Sequence, residues 1–351
     1  MTHGERLDVC LVIPGRDCER TLAACLDSAL PFLERGLIDE IVFVNDGSRD
    51  ETLAIARRYP VRVVESGGRG PGAARNVGFR ATRAALVWFV DSDCVIERDA
   101  LERLKDTMHQ LGAALVGGSY SNARPDSRTA RLIHEEMVQR HRRMGKRATF
   151  AITANLLCRR EVLEELGGFD ERLKLAQDLD FAYRALAAGH VLGFDAESHV
   201  AHHHETRFVG YLKKQARQGY WRMHLYKKHP GRAKGDSYSG LVDYAQPPLA
   251  VLAATSWGVG VIGLPFAPAL SVPAFAVSGV SSVATVLLQL PMAVSLGATV
   301  SKSDQVSYVA FGAVRALARG AGMVVGLAHV GRELASRNAR GAFAEREEPS
   351  G

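Results

Sequence analysis

Several short stretches of this chain concentrate the residue types that do chemistry. Asp91-Ser92-Asp93 closes the apolar run "ALVWFV", so two carboxylates stand where a buried strand would end and a crevice begin. A divalent cation that must also hold a diphosphate favours one or two protein carboxylates, with positions left for phosphate oxygens and water. A D-x-D at a strand end supplies that, although acidic pairs there also start helices. Asp46 in "VNDGS" has the same double reading, because Asn-Asp-Gly-Ser is a good turn. "GGRGPGAARNVG" opens a helix with glycines and holds Arg69 and Arg75, which suits a phosphate approaching backbone N–H groups. It has neither the G-K-[ST] of a Walker loop nor the G-x-G-x-x-G dinucleotide spacing, which weakens kinase and dehydrogenase readings.

A fourth stretch, "AQDLDFAYRALAAGH", places Asp178 and Asp180 in an apolar run beside Gln177. Carboxylates at a helix start accept hydrogen bonds from free N–H groups and favour the helix dipole, and Asp180 is spaced to pair with Arg184 one turn on. The two aspartates lie about 200° apart around a helix, so one carboxylate with a chemical role and one with a structural role is the expected split. In "SHVAHHHE" alternate strand residues face opposite ways, so at most His202 and His204 share a face.

The elements that must position these residues are legible as alternation. "LDVCLVIP", "DEIVFVND", "VRVVES" and "AALVWFVDSD" are strand-length apolar runs, each followed by a helix-period segment. This βαβα order predicts an α/β fold with a mostly parallel sheet covered by helices on both faces. Ligands of such sheets collect beyond the carboxyl ends of the strands, where Pro14, Asp46, Asp91 and Asp93 fall. The five cysteines are scattered without C-x-x-C pairs, which argues against a disulfide framework or a structural zinc. The charged, briefly apolar N-terminus reads as no secretory signal.

The second half differs in kind. Net charge is +6 overall, yet no Asp, Glu, Lys or Arg occurs from Tyr244 to Ser301. That window is long enough for two crossings of about 20 residues each, placed near Leu249 to Leu264 and Pro273 to Val294. A re-entrant hairpin is the alternative. Both flanks are basic, which predicts that both stay cytoplasmic. Residues 302–335 are apolar but carry Arg315 and Arg319 one turn apart, which predicts an interfacial amphipathic helix rather than a third span. Residues 336–351 read as a polar, disordered tail. The basic, aromatic stretch Arg207 to His229 is read as an interfacial anchor attracted to anionic lipid, and nucleic acid is not expected as a partner.

Taken in order, "VIPGRD", "DEIVFVNDGSRDET", "GPGAARNVGF", "VWFVDSDCVIERDAL", "TANLLCRREVLEELGGFDE" and "QDLDFAYRALAAG" resemble the family 2 glycosyltransferases of the GT-A fold over residues 7 to 230. The resemblance implies a GT-A domain over 1–235, with a doubly wound mixed sheet, and the uncharged window adds two transmembrane or re-entrant helices over 244–301. It also implies that Pro14 lines a nucleotide pocket, that Asp46 meets the base or ribose, and that Asp91 sits near the ribose and the metal. Asp93 would bind a divalent cation, Mg or Mn, with His202, or else His203 or His204, approaching it. Asp178 would be the catalytic base, and Arg75 remains a donor-binding candidate. The family commonly has Glu where this chain has Gln177.

The expected function is therefore inverting transfer from a nucleotide-diphosphate sugar to a hydroxyl of a lipid-linked or cell-envelope glycan, by a cytoplasmic domain held at the cell membrane. Two alternatives follow from the same residues. One is a polyprenyl-phosphate glycosyltransferase, whose acceptor needs no base. The other is a non-catalytic nucleotide-sugar-binding membrane component, which Gln177 favours.

Overall fold

In the computed structural model, which describes residues 8–344, the chain forms two units: Met1–Arg207 with Asp236–Ser239, and Phe208–Gly235 with Gly240–Gly351. The first contains β1 (Val9–Gly15), α1 (Leu22–Glu34), β2 (Glu40–Asn45), α2 (Thr52–Ala56), β3 (Arg62–Glu65), α3 (Pro71–Arg80), β4 (Leu86–Val90) and β5 (Cys94–Ile96). It continues with α4 (Ala100–Leu111), β6 (Leu115–Asn122), α5 (Arg128–Arg143), β7 (Asn155–Arg159), α6 (Arg160–Glu165), α7 (Gln177–Ala187) and β8 (Leu192–His202).

The eight strands form one sheet in the order β3-β2-β1-β4-β7-β6-β8-β5. β1 to β4 pair in parallel, as the alternation predicts. β7 then enters antiparallel between β4 and β6, which makes the sheet mixed. β1 and β4 are apolar along their length, and β2 from Ile41 to Val44, because both faces are covered. Phe32 meets Trp88 edge-on beneath one face, and Phe89 meets Phe169 beneath the other. Where β6 runs beside β8 the register slips between Gly118 and Ser119. A Cβ on Gly118 would collide with the Asn155 amide, which is fully buried and accepts from Trp88 Nε1 at 3.0 Å. The slip redirects the ends of β6 and β8 toward β5, where Cys94 lies opposite His202.

The second unit holds α8 (Phe208–Lys228), a short 3-10 turn (Pro230–Lys234), α9 (Leu241–Gly263), α10 (Pro268–Leu287), α11 (Leu290–Leu296) and α12 (Lys302–Ala344). The last strand of the sheet ends at His202 and the first unit's main segment at Arg207, so α8, grouped with the sheet domain over 1–235 from sequence, belongs to the unit of the C-terminal helices. Helix α12 continues through Ala344, past the expected start of the polar tail, and residues 345–351 lie outside the described residues.

Three segments are long and apolar enough to cross a membrane: Leu241–Gly263, Pro268–Leu296 and Lys302–Ser336. Their polarity is inverted relative to a water-soluble bundle. Among the described residues, every exposed large hydrophobic side chain belongs to this unit, Phe266, Val272 and Val280 among them, while Ser278, Thr285 and Gln289 are buried. Ser278 Oγ donates to the Ala253 carbonyl of α9 at 2.8 Å, and Gln246 Nε2 of α9 donates to the Leu288 carbonyl at 3.3 Å. Polar contacts between helices and an apolar exterior are what a lipid solvent selects. Arg315 and Arg319 follow the same rule. Arg315 is buried beside Gln289 and Tyr308, and Arg319 binds Gln215, so the arginine face that the sequence suggested for the interface points into the helix pack.

Candidate active site

The site grows from the carboxyl ends of β1, β2 and β4, which the parallel register brings level. Pro14 lies opposite Val44 at the end of β1, and Asp46 follows the end of β2. Asp46 is buried, and both of its oxygens are engaged: Oδ1 accepts from Ser66 Oγ at 2.6 Å and Oδ2 from the Gly70 N–H at 2.9 Å. It therefore ties β2 to the glycine-rich entry of α3. Asp17, in the turn beyond β1, holds φ at +50°, a strained value for a residue other than glycine.

Arg75, on the buried face of α3, reaches across to β4. Its Nη2 lies 2.6 Å from Asp91 Oδ1, and the Arg75 side chain is only 4% exposed. Among the described residues its Nε and Nη1 have no hydrogen-bond partner. Two buried guanidinium N–H groups left open are costly, and they make Arg75 a ready ligand for an oxygen anion. Its neighbour Asn76 turns the other way. Asn76 Nδ2 donates to the Phe169 carbonyl at 2.9 Å, and the Phe169 N–H donates to Asn76 Oδ1 at 2.8 Å. One helical turn thus presents Arg75 to Asp91 and pins the "GGFDE" turn. Gly168 holds φ at +75° there, and a Cβ on it would strike the Asn76 amide.

That pinned turn leads into α7. Arg184 donates to the carbonyls of Leu166 and Gly168, both at 2.6 Å, and its Nε lies 2.9 Å from Asp180 Oδ2. Asp180 is fully buried and structural, as its spacing predicted. Asp178 is half-buried, and its Oδ1 accepts from the Leu179 N–H at 2.9 Å. Burial pushes the Asp178 carboxyl above the ordinary carboxylate range; Arg75 opposes the rise and Asp91 adds to it. Ala176, just before, adopts the left-handed conformation with φ of +62°. Strain of this kind collects where a backbone is held for function. Gln177 is buried, and its Oε1 has no partner among the described residues.

The third corner is the junction of β5 and β8. His202 Nε2 lies 3.5 Å from Asp93 Oδ2, while the His203 ring meets the Asp93 carbonyl at 3.0 Å. His202 and His204 share a face, their Nδ1 atoms 3.0 Å apart. Ligand atoms of Asp93, Cys94 and His202 all lie within 4.8 Å of one another. Cys94 is fully buried, and its thiol points to Asp93 Oδ1 at 3.8 Å. The donors open to an ion are therefore a carboxylate and an imidazole, with the Asp93 side chain 43% exposed. Such an O/N set with free positions fits a hard divalent cation such as Mg or Mn.

Sequence reasoning missed Tyr120. It lies edge-on to His202 with ring centroids 5.4 Å apart and stacks on His141 at 5.9 Å. His141 binds Ser119 at 2.8 Å and is driven by burial to a pKa of about 3, so it is neutral. The local signal is one aromatic residue among the small and polar residues that follow Gly117-Gly118 in β6. Its importance depends on the β6–β8 register, which no motif records.

The model of glycosyl transferase family 2 matches residues 10–167. Glycosyltransferase AglE of Haloferax volcanii is 31% identical over 219 residues, covering 60% of this chain and 71% of that protein. The chain belongs to the family 2 glycosyltransferases. The pre-mycofactocin glycosyltransferase of Mycobacterium tuberculosis is 28% identical over 239 residues, covering 64% of this glycosyltransferase. The chain spans only 49% of that relative's length. Among solved structures, the mannosyltransferase PcManGT from Pyrobaculum calidifontis, in complex with GDP-Man and Mn2+, is similar with a TM-score of 0.52 at 19% identity. The match covers 89% of this glycosyltransferase and 87% of PcManGT, and it shows a common GT-A fold.

Proposed function

We propose that this glycosyltransferase moves a sugar, with inversion, from a nucleotide-diphosphate donor to a hydroxyl of a lipid-linked or cell-envelope glycan. The observation that carries the reading is the separation of roles among the acids. Asp93 and His202 form one corner, Asp91 is paired with Arg75, and Asp178, within electrostatic reach of that pair, has a pKa raised by burial.

Asp93 and His202 would hold the divalent cation, which supplies charge neutralisation for the departing diphosphate. The open N–H groups of Arg75 add a fixed positive site for a donor oxygen. Pro14 and Asp46 frame the nucleotide pocket at the ends of β1 and β2. Asp178 accepts the proton of the acceptor hydroxyl as that oxygen attacks the anomeric carbon, so no covalent intermediate on the enzyme is needed. A carboxylate raised above its ordinary value is a better general base at neutral pH than an unperturbed one.

The acceptor class is supported by relatives whose names give a glycan product, such as the succinoglycan biosynthesis protein ExoO of Rhizobium meliloti, and by the apolar C-terminal helices. Basic residues flanking those helices support a catalytic unit on the cytoplasmic side of the cell membrane. Screening nucleotide sugars with Mg or Mn for thermal stabilisation of the purified chain identifies the donor, because a ligand of the folded state alone raises its stability. Product analysis with that donor should then give a glycoside at a hydroxyl. A sugar phosphodiester on a polyprenol would instead establish the phosphate-acceptor alternative.

A further inference from the structure

Helix α12 is long and apolar enough to cross a membrane, yet it is not free to do so alone. It runs alongside α8 in the same direction for its central length. Phe311 packs on Phe208 and Tyr211 at one end, Arg319 binds Gln215 in the middle, and Lys227 pairs with Glu333 at 2.7 Å at the other. The contact is backbone-close. A Cβ on Gly219 would fall on the Arg319 carbonyl, and one on Gly322 would fall on the Ala216 carbonyl. The paired segment of α12, residues 311–333, spans the length needed for a bilayer core, so a crossing by α12 would carry α8 through with it.

Helix α8 does not fit a crossing. Its sequence "FVGYLKKQARQGYWRMHLYKK" bears six Lys and Arg side chains, and Lys213, Lys214 and Arg217 are exposed. Charged side chains in the middle of a bilayer face a bundle interior or a water-filled cavity, and these three do neither. The outward face of α12 has the opposite character. Val306, Val314, Leu317 and Val324 are exposed, and no charged side chain interrupts that face between them. A pair with one apolar face and one basic helix matches the boundary layer of a bilayer, with the apolar face in the acyl region and the basic helix among the headgroups.

We infer that α8 and α12 form a two-helix foot lying in the plane of an anionic membrane surface, and that α12 is not a third crossing. The inference rests on membrane attachment and not on the transfer reaction. Arg315 and Arg319 are internal struts of this foot, while its electrostatic contact is made by Lys213, Lys214 and Arg217 of α8.

The test uses the full chain in liposomes of phosphatidylcholine with and without phosphatidylglycerol. Ser303→Cys and Ser336→Cys variants, near the two ends of the apolar segment Lys302–Ser336 of α12, are labelled with a membrane-impermeant maleimide, with Asp126→Cys as the marker of the catalytic side. The native cysteines are all buried. Both α12 sites are expected to label from the side of Asp126→Cys, and labelling from opposite sides overturns the inference. Leu317→Trp and Val324→Trp are expected to be quenched alike by shallow brominated lipids. Stronger quenching of Val324→Trp by deep bromines, as for a crossing, overturns it too. Phosphatidylglycerol should strengthen the shallow quenching, and the triple change Lys213→Gln, Lys214→Gln and Arg217→Gln should abolish that gain. No gain from phosphatidylglycerol would remove the anionic surface from the proposal. Flotation separates the two levels: a chain that floats but labels from opposite sides overturns only this inference, whereas one that fails to float overturns membrane attachment itself.

Discussion

The two units of this chain solve the burial problem in opposite directions. In the sheet unit, Trp88, Phe43 and Phe89 are fully buried, and the fully buried carboxylate of Asp180 is paired with Arg184. In the helical unit, α9, α10 and the turn between them expose valine, leucine and phenylalanine, and the interior holds Ser278, Thr285, Gln289 and Arg315. A single residue type therefore means different things in each. An exposed valine on α10 is expected in lipid, and it would be a liability on α4. The lesson is that side-chain polarity reports the solvent around a unit before it reports the unit's fold.

The contrast can be broken most severely at the acidic corner of the sheet unit. Asp93→Ala removes the carboxylate that faces His202, and the several kcal/mol attributed to charge neutralisation corresponds to a loss of about 10³-fold in transfer. Donor-dependent thermal stabilisation by Mg or Mn should vanish in the same variant. In the helical unit the comparable change is Val280→Asp, at a side chain 72% exposed near the middle of α10. In water such a surface change would cost within about 0.5 kcal/mol, but at a bilayer centre Asp costs about 2.5–3.5 kcal/mol. The fraction of chain retained in washed membranes reads the difference, and an unchanged fraction would place α10 in water.

The two aspartates of α7 sharpen the contrast within the sheet unit. Asp180→Asn weakens the tie from α7 to Leu166 and Gly168 by way of Arg184, and a loss of about 2 kcal/mol is expected in chemical unfolding. Asp178→Asn should leave stability unchanged or raise it. An acid whose folded-state pKa is raised binds its proton more tightly in the native state. Its ionisation therefore opposes folding as pH rises through the unfolded value and up to the folded one. The same shift puts the acid limb of the pH–rate profile above the ordinary carboxylate range, with activity falling as pH drops through it. Gln177→Glu gives the smallest effect. A second negative charge beside Asp178 should move that limb upward by a few tenths of a pH unit, and a downward move would contradict the electrostatic reading.

Much of the sheet unit was legible because its elements obey the ordinary rule of apolar interior and polar exterior. "ALVWFV" before Asp91 could only be a buried strand, and the spacing of Asp180 and Arg184 foretold their pairing. The Arg75–Asp91 pair was not legible, because it depends on which strands lie side by side beneath α3. The meeting of His202 with Asp93 depends likewise on β5 pairing with β8 and on the slip at Gly118. The arginines of α12 were misplaced for a different reason: an amphipathic pattern has two faces, and the sequence does not say which one meets the solvent.

The proposed division between Asp93 for binding and Asp178 for chemistry is tested most directly by one paired measurement on Asp178→Asn. In liposomes, with the nucleotide sugar that best stabilises the wild-type chain, donor affinity and transfer rate are measured on the same preparation. The account predicts donor affinity within about twofold of wild type and transfer reduced at least ~10²-fold, the range of a lost general base. Full transfer by Asp178→Asn, or donor binding lost in step with transfer, would contradict it.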